Sequence, residues 1–404
     1  MQNNNIKVFF KSWSVRLSAT VIFLSVIISI LGYAICMDPT SHANDGLVEI
    51  GKQTPGYSVN VLKIRKNFTN PRRPWYKRWF TGSESNYIIV PMESYELDSL
   101  DLKVKVVGKK DYYKSYHLAD VVFPLFMGGK NTSQEPPFKK ADDQLSFKNA
   151  EGEIVLITLH ELIEKFQTEC MERRTFLLGT DRFGRDLYSR LVLGTRISVF
   201  IGFASVLLSI FIGLLLGTVS GYFGGIIDTL VMWFMSVVWA VPAIMLVIAI
   251  SMVLNSKGLW VTFIAVGFTT WVEAARVIRG QVISLKEMQF VEAARAYGLR
   301  DFSIVFKHIV PNIYNILIVV ATANYAVAIL LEAGLSFLGL SVQPPAPSWG
   351  NMVYEGYQVL GTKNSWHLIL FPGMAIIIMV LSFNLLGIGL QKATGTSDQI
   401  SHLK

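Results

Sequence analysis

About six stretches of this chain are long and apolar enough to cross a lipid bilayer, and that constrains the fold more than any other feature. A crossing takes about 20 helical residues, because backbone N–H and C=O groups must be satisfied inside the segment. The runs lie at 17–36, 197–223, 229–254, 258–278, 313–333 and 366–390. The third is longer than a straight crossing needs and contains Pro242. Proline removes a backbone donor, so a kink is expected there, with part of the run lying along the interface. Only 16% of the residues are charged and 51% are hydrophobic, where a soluble domain carries about 25% charged residues.

Charge placement gives orientation. The net charge is +8. Lys7, Lys11 and Arg16 precede the first run, and Arg279, Lys286, Arg295, Arg300 and Lys307 lie between the fourth and fifth. Lys392 and Lys404 follow the sixth, whereas the short loops on the other side are poor in basic charge, with Lys257 and Lys363, and the long 37–175 segment, basic too, escapes the rule as a long translocated stretch. The positive-inside rule therefore places both termini and the 279–312 loop in the cytoplasm, as parts of a multi-pass membrane protein. We recognise no aromatic-interleaved basic patch, so nucleic acid is not expected as a partner. The 17–36 run is longer than a signal-peptide core, and Ile35 does not suit lipoprotein cleavage at Cys36. It is read as an uncleaved first span.

The polar segment 37–175 has a soluble composition. Residues 57–64 and 102–107 alternate with period two, as half-buried strands do. The chain is thus expected to divide into 1–36, the tail and first helix; 37–175, an inserted extracytoplasmic domain containing β-structure; and 176–404, an all-α core of five helices with a cytoplasmic loop at 280–312. The insert reads as a structural cap or as a docking surface. Asn67-Phe68-Thr69 and Asn131-Thr132-Ser133 match glycosylation tripeptides that also arise by chance. Cys36 and Cys170 are too few for a disulfide scaffold, and a single bridge between them stays open. His160-Glu161 lacks a second His at i+4, so it reads as a surface helix and no metal site is expected. Ser205, Ser209, Gly213, Gly217 and Gly221 recur every four residues. That spacing lines one helix face with small side chains for close packing.

The cytoplasmic loop carries the functional reading. Residues 290–296 (Phe-Val-Glu-Ala-Ala-Arg-Ala) are strong helix formers. Gly298 ends this helix in the left-handed position. Asp301 or Ser303 is expected to cap a second helix leading to Pro311. The product is a helix–Gly–helix elbow that fits a partner's groove and passes that partner's movement to two spans. Read alone, it is equally an amphipathic connector.

Glu292, Ala293, Ala294 and Gly298, with Pro311 thirteen residues further on, resemble the EAA signature of permease subunits in ABC importers; Val310 replaces the usual leucine. Residues 178–198, with Gly179, Thr180, Asp181, Gly184, Arg185 and Asp186, resemble the stretch before the second span of dipeptide/oligopeptide permeases of the DppC/OppC type. Residues 335–350 resemble the outer loop of the same family. The 37–175 segment is longer than that family suggests, and 387–392 lacks its acidic residue. The resemblance implies a type I importer for di- or oligopeptides, with nickel or another small solute as the alternative. It implies a homologous permease partner, an extracytoplasmic substrate-binding protein, and two ATPase subunits that bind ATP and Mg. Glu292, Ala293, Ala294, Arg295, Gly298, Asp301 and Pro311 would couple to those ATPases.

This chain has no Walker-type phosphate loop and would be non-catalytic, with no cofactor of its own. Glu332, at the outer end of the fifth span, is read as meeting a peptide amine or as bonding to the 335–349 loop. Glu273 and Arg276 are expected to pair with each other. Asp181, Arg185 and Asp186 are read as ordering the external face. A secondary transporter would need ionisable residues mid-span and an inverted repeat, and neither is clear. A membrane hydrolase would need a nucleophile with a matched base, and none is present.

Overall fold

The computed structural model describes residues 12–68, 74–109, 111–125, 138–141, 144–255 and 258–393. Lys7, Lys11, Lys257 and Lys404, and the Thr69 and Asn131-Thr132-Ser133 parts of the tripeptides, lie outside the described residues. The chain forms two compact units, one of residues 1–31, 191–355 and 369–404, the other of 32–190 and 356–368.

The first unit is helical. Its elements are α1 (Trp13–Ile35), α2 (Leu187–Phe223), α3 (Gly225–Ala240), α4 (Ala243–Val253), α5 (Leu259–Lys286), α6 (Gln289–Ala296), α7 (Asp301–Ile304), α8 (Tyr314–Phe337), α9 (Trp349–Tyr357) and α10 (Trp366–Ala393). Five of them, α1, α2, α5, α8 and α10, are long and apolar enough to cross a membrane, and α3 with α4 makes a sixth if the bent pair is one span. The pair bends by 94° at Val241-Pro242, where proline cannot donate and its predecessor is pushed to extended backbone. Helix α2 starts ten residues before the predicted 197, and α5 runs eight residues past 278. The extra turns hold polar residues that tertiary contacts shield, such as Ser189, Arg190 and Gln281.

Helix α5 is the packing centre of this unit. The small-residue stripe of α2 lies on it. A Cβ on Gly217 would sit 2.5 Å from the Ala275 carbonyl, and one on Gly213 2.8 Å from Ala274 Cβ. At the upper part of the stripe, Ser205 donates to the Phe263 carbonyl at 3.3 Å, and Ser209 accepts from Asn324 of α8 at 3.0 Å. Close backbone approach takes the place of the hydrophobic driving force that lipid does not supply.

The second unit carries the β-structure. Strands β1 (Tyr57–Arg65), β2 (Tyr87–Asp98), β3 (Asp101–Val106), β4 (Tyr113–His117) and β8 (Met171–Phe176) form one antiparallel sheet in the order β4-β3-β2-β1-β8. Strands β5 (Phe138–Ala141), β6 (Gln144–Lys148) and β7 (Ile154–Thr158) form a second. Leu102, Val104 and Val106 are buried and their odd-numbered neighbours are not, which is the period-two pattern of one buried sheet face. They share a core with Leu62, Leu118, Phe147, Leu162 and Phe166. Residues 159–165 form the expected surface helix, with the Thr158 hydroxyl accepting from the Glu161 N–H at 3.3 Å. Both cysteines are free. Cys170 lies in the sheet core, and burial pushes its thiol up to about 11.

Candidate functional site

The elbow begins where α5 ends. Met288, extended, starts α6, and Gly298 at φ +73° turns the chain out of it. The Leu299 N–H reaches back to the Ala294 carbonyl at 3.2 Å and the Gly298 N–H to Arg295 at 2.9 Å, a left-handed cap that satisfies orphan carbonyls. Helix α7 then runs through a π-helical turn (Val305–Ile309) and Val310–Asn312, which holds Pro311, into α8. The cap of α7 differs from expectation. Arg300 occupies that position in extended backbone, Asp301 is already helical, and neither Asp301 nor Ser303 makes a side-chain capping bond.

Asp301 is used elsewhere. The Tyr222 hydroxyl, at the end of α2, donates to Asp301 Oδ1 at 2.6 Å. Arg295 lies 5.3 Å and Lys286 5.7 Å from the centroid of the same ring. A cation over a ring face is attracted by its quadrupole. Tyr222 therefore ties α2, the end of α5 and both elbow helices together. Nothing in the sequence around Tyr222 announces this role. Nearby, Arg279 holds Asp228 in a fork of two 2.6 Å bonds, and Ser220 donates to the same carboxylate at 2.7 Å.

Two faces of α6 divide anchoring from presentation. Val291 and Ala294 are buried with Ala274, Ile278, Val282, Ile304 and Ile309. Glu292, Ala293, Arg295 and Gly298 are exposed. So is an apolar tip: Tyr297 is 85% and Phe302 75% exposed, with Leu299 beside them. Large exposed apolar groups beside charges mark an interaction surface.

The residues 179–186 form a compact knot. Gly179 and Gly184 have positive φ. A Cβ on Gly184 would lie 1.8 Å from the Leu47 carbonyl oxygen, so no side chain fits there. Thr180 donates to the Ile50 carbonyl at 2.6 Å and accepts from the Gln53 N–H at 2.9 Å. Asp181 Oδ1 accepts from the N–H groups of Phe183 and Arg185 at 2.8 and 3.0 Å, and its Oδ2 takes Arg185 Nε at 2.5 Å. Arg190 Nε lies 3.4 Å from that same oxygen, so a second buried cation faces the Asp181 carboxylate. Asp186 caps α2 by accepting from the Ser189 N–H at 2.9 Å and from its hydroxyl. Burial pushes the Asp186 carboxyl up, against the lowering effect of those Ser189 bonds.

In the spans, Glu332 is buried. It accepts from Ser336 at 2.8 Å and lies 3.5 Å from the Ser341 hydroxyl, both in the 335–350 stretch. Glu273 and Arg276 are not brought together as expected. Arg276 reaches instead over the Trp239 ring, 4.2 Å from its centroid, and Glu273 is exposed near the middle of α5. Among the described residues no group of His, Cys, Asp and Glu is placed to hold a metal.

A family model described as the inner membrane component of binding-protein-dependent transport systems matches residues 197–395, from α2 past the elbow to the end of α10. The oligopeptide transport system permease protein OppC of Bacillus subtilis is 42% identical over 215 residues, covering 53% of this chain and 70% of that protein. The chain belongs to this family. Two further members of this transport-component family are similar to it. They are the glutathione transport system permease protein GsiD of Pectobacterium atrosepticum, 39% identical over 54% of this chain and 71% of that protein, and the dipeptide permease protein DppC of Bacillus subtilis, 40% identical over 53% and 67%. The matched part of this family member includes the whole elbow and excludes the β-structure of the 32–190 stretch.

Proposed function

We propose that this chain is the membrane-embedded permease subunit of an ATP-driven importer of peptides. The observation that carries the reading is the elbow, whose buried side is fixed to α5 and α8 while Glu292, Ala293, Tyr297 and Leu299 face outward. A partner that moves this tip moves the ends of two spans. ATP and Mg belong to two partner ATPase subunits that bind below the permease pair and couple to this chain through the elbow, and this subunit carries out no chemistry. A homologous permease completes the path, an external binding protein delivers substrate, and the 37–175 segment lies on that external side with both termini in the cytoplasm. Peptides are the substrate class because the relatives' names are oligopeptide, dipeptide and glutathione permeases. The test is ATP-dependent uptake of labelled oligopeptide into vesicles holding the full assembly. Recovery of the chain alone under mild extraction, with no ATPase subunit bound, would sink the assignment.

The path face includes Glu273. A carboxylate exposed toward the inner end of a span is costly against lipid and belongs against a partner helix or water. Glu332, wrapped by serines, supports the outer loop behind that face. Glu273→Gln is expected to lower uptake of peptides with a free amine by at least about tenfold, the worth of one charge-assisted bond. Amine-acetylated peptides should be less affected, and equal losses for both would remove Glu273 from the path.

A further inference from the structure

The short helix Trp75–Thr81 reads WYKRWFT and buries none of its residues. Trp75 is 79% exposed, Phe80 64% and Tyr76 51%. Lys77 and Arg78 stand exposed among them, and neither forms an ion pair among the described residues. Aromatic and basic side chains interleave here, contrary to the expectation from sequence that no such patch exists. In water, three large exposed aromatics on two turns are an unexplained surface.

The helix is pinned to the end of α1. Beyond it, a Cβ on Gly82 would come within 2.7 Å of the Tyr33 ring and 2.9 Å of the Pro39 carbonyl. The Ser83 N–H donates to that carbonyl at 2.9 Å, and Thr40 and Ser83 form a parallel bridge. Between the two lies a hollow of about 200 Å³ lined by Tyr33, Pro39, Trp75, Arg78, Trp79 and Ser83. Helix α1 ends at Ile35, so the hollow sits at the level where a span leaves the hydrocarbon.

We propose that the Trp75–Thr81 helix lies in the lipid headgroup layer and that the hollow beside Arg78 takes the phosphate of an anionic phospholipid. Trp and Tyr favour that layer because their rings are apolar and their tips polar. Lys and Arg lay their stems along the apolar zone and bring charge to phosphate. Continuity with the end of a span selects lipid over a soluble partner, since bilayer already surrounds that level. The inference rests on α1 crossing the membrane and is independent of the elbow's role and of the substrate.

The test uses the full chain in nanodiscs of phosphatidylcholine with or without phosphatidylglycerol. A spin label is placed at Tyr76→Cys, with Ile154→Cys, exposed on β7, as the control. Cys36→Ser removes the native thiol near the site, and Cys170 labels slowly because burial pushes its thiol up to about 11. The ratio of oxygen to water-soluble nickel accessibility is expected to be several-fold higher at position 76 than at 154. With phosphatidylglycerol present, Lys77→Glu and Arg78→Glu should each weaken retention of that lipid by about fivefold. Equal ratios at the two positions, no dependence on phosphatidylglycerol, or shielding that appears only when a soluble binding protein is added would each overturn the proposal. Normal ATP-driven uptake alongside a water-exposed label would sink the lipid contact and leave the importer reading standing.

Discussion

Gly298→Val is expected to leave the chain folded and inserted while abolishing ATP-driven peptide uptake. The space around Gly298 is open, with no atom close enough for a new Cβ to strike. The cost is therefore confined to the backbone, about 1–2 kcal/mol for a side chain held at φ +73°. That is too little to unfold the helical unit, but a branched residue will relax toward negative φ. Relaxation breaks the Leu299–Ala294 bond and swings α7 away from α6. Tyr297 and Leu299 then no longer share one surface. Glu292→Lys attacks the same surface by charge, since Glu292 is exposed and not part of the packed core. Tyr222→Phe is the milder comparison. It removes the hydroxyl bond to Asp301, worth about 1 kcal/mol, and keeps the ring under Arg295. Partial uptake is expected from Tyr222→Phe, and none from Gly298→Val or Glu292→Lys, at equal amounts of membrane-inserted protein. Wild-type uptake by both elbow variants would mean that the ATPase pushes elsewhere.

Asp181→Ala should be among the most destabilising single changes in the molecule. Asp181 is 4% exposed, as is Arg185, and Arg190 is 0% exposed. The carboxylate supplies the negative charge that both cations face, and its other oxygen takes two backbone N–H groups. Removing one member of a buried charged cluster costs about 3–5 kcal/mol, because the remaining charges lose compensation without regaining water. Melting of the detergent-solubilised chain, followed by size-exclusion profile, should fall by about 5 °C for a protein of this size. Asp181→Asn should fall less, since its carbonyl still accepts from the two N–H groups. A melting point unchanged by Asp181→Ala would mean that the knot is held by Gly184 and Thr180 alone.

The long elements were legible because lipid imposes a simple rule. Length and apolarity gave the spans, and Pro242 gave the bend between α3 and α4. The elbow helix and its Gly298 end followed from local propensity, as did strands β1 and β3 from alternation. What was missed depends on partners distant in sequence. The start of α2 was placed too late because Ser189, Arg190 and Arg196 look like loop residues until tertiary contacts shield them. Asp301 looked like a cap because its type favours caps, whereas Tyr222, 79 residues earlier, recruits it. Arg276 looked like a partner for Glu273 because they are one turn apart, but the ring of Trp239 on another helix attracts it. The basic aromatic helix at Trp75 is too short to show a helical period or a charge run, so its sequence does not mark it as a surface.

Ser189 has one more consequence. Its hydroxyl accepts from the N–H groups of both Met37 and Asp38, each at 2.9 Å, and it follows directly on the Asp186 cap. The polypeptide thus leaves the end of α1 and returns to the start of α2 at a single stitch. The stretch between them that precedes the 179–186 knot is then the part whose length can vary while the knot and the Asp186 cap stay in place. Such a closed doorway is the place where a folded module can be carried between two helices without separating their ends.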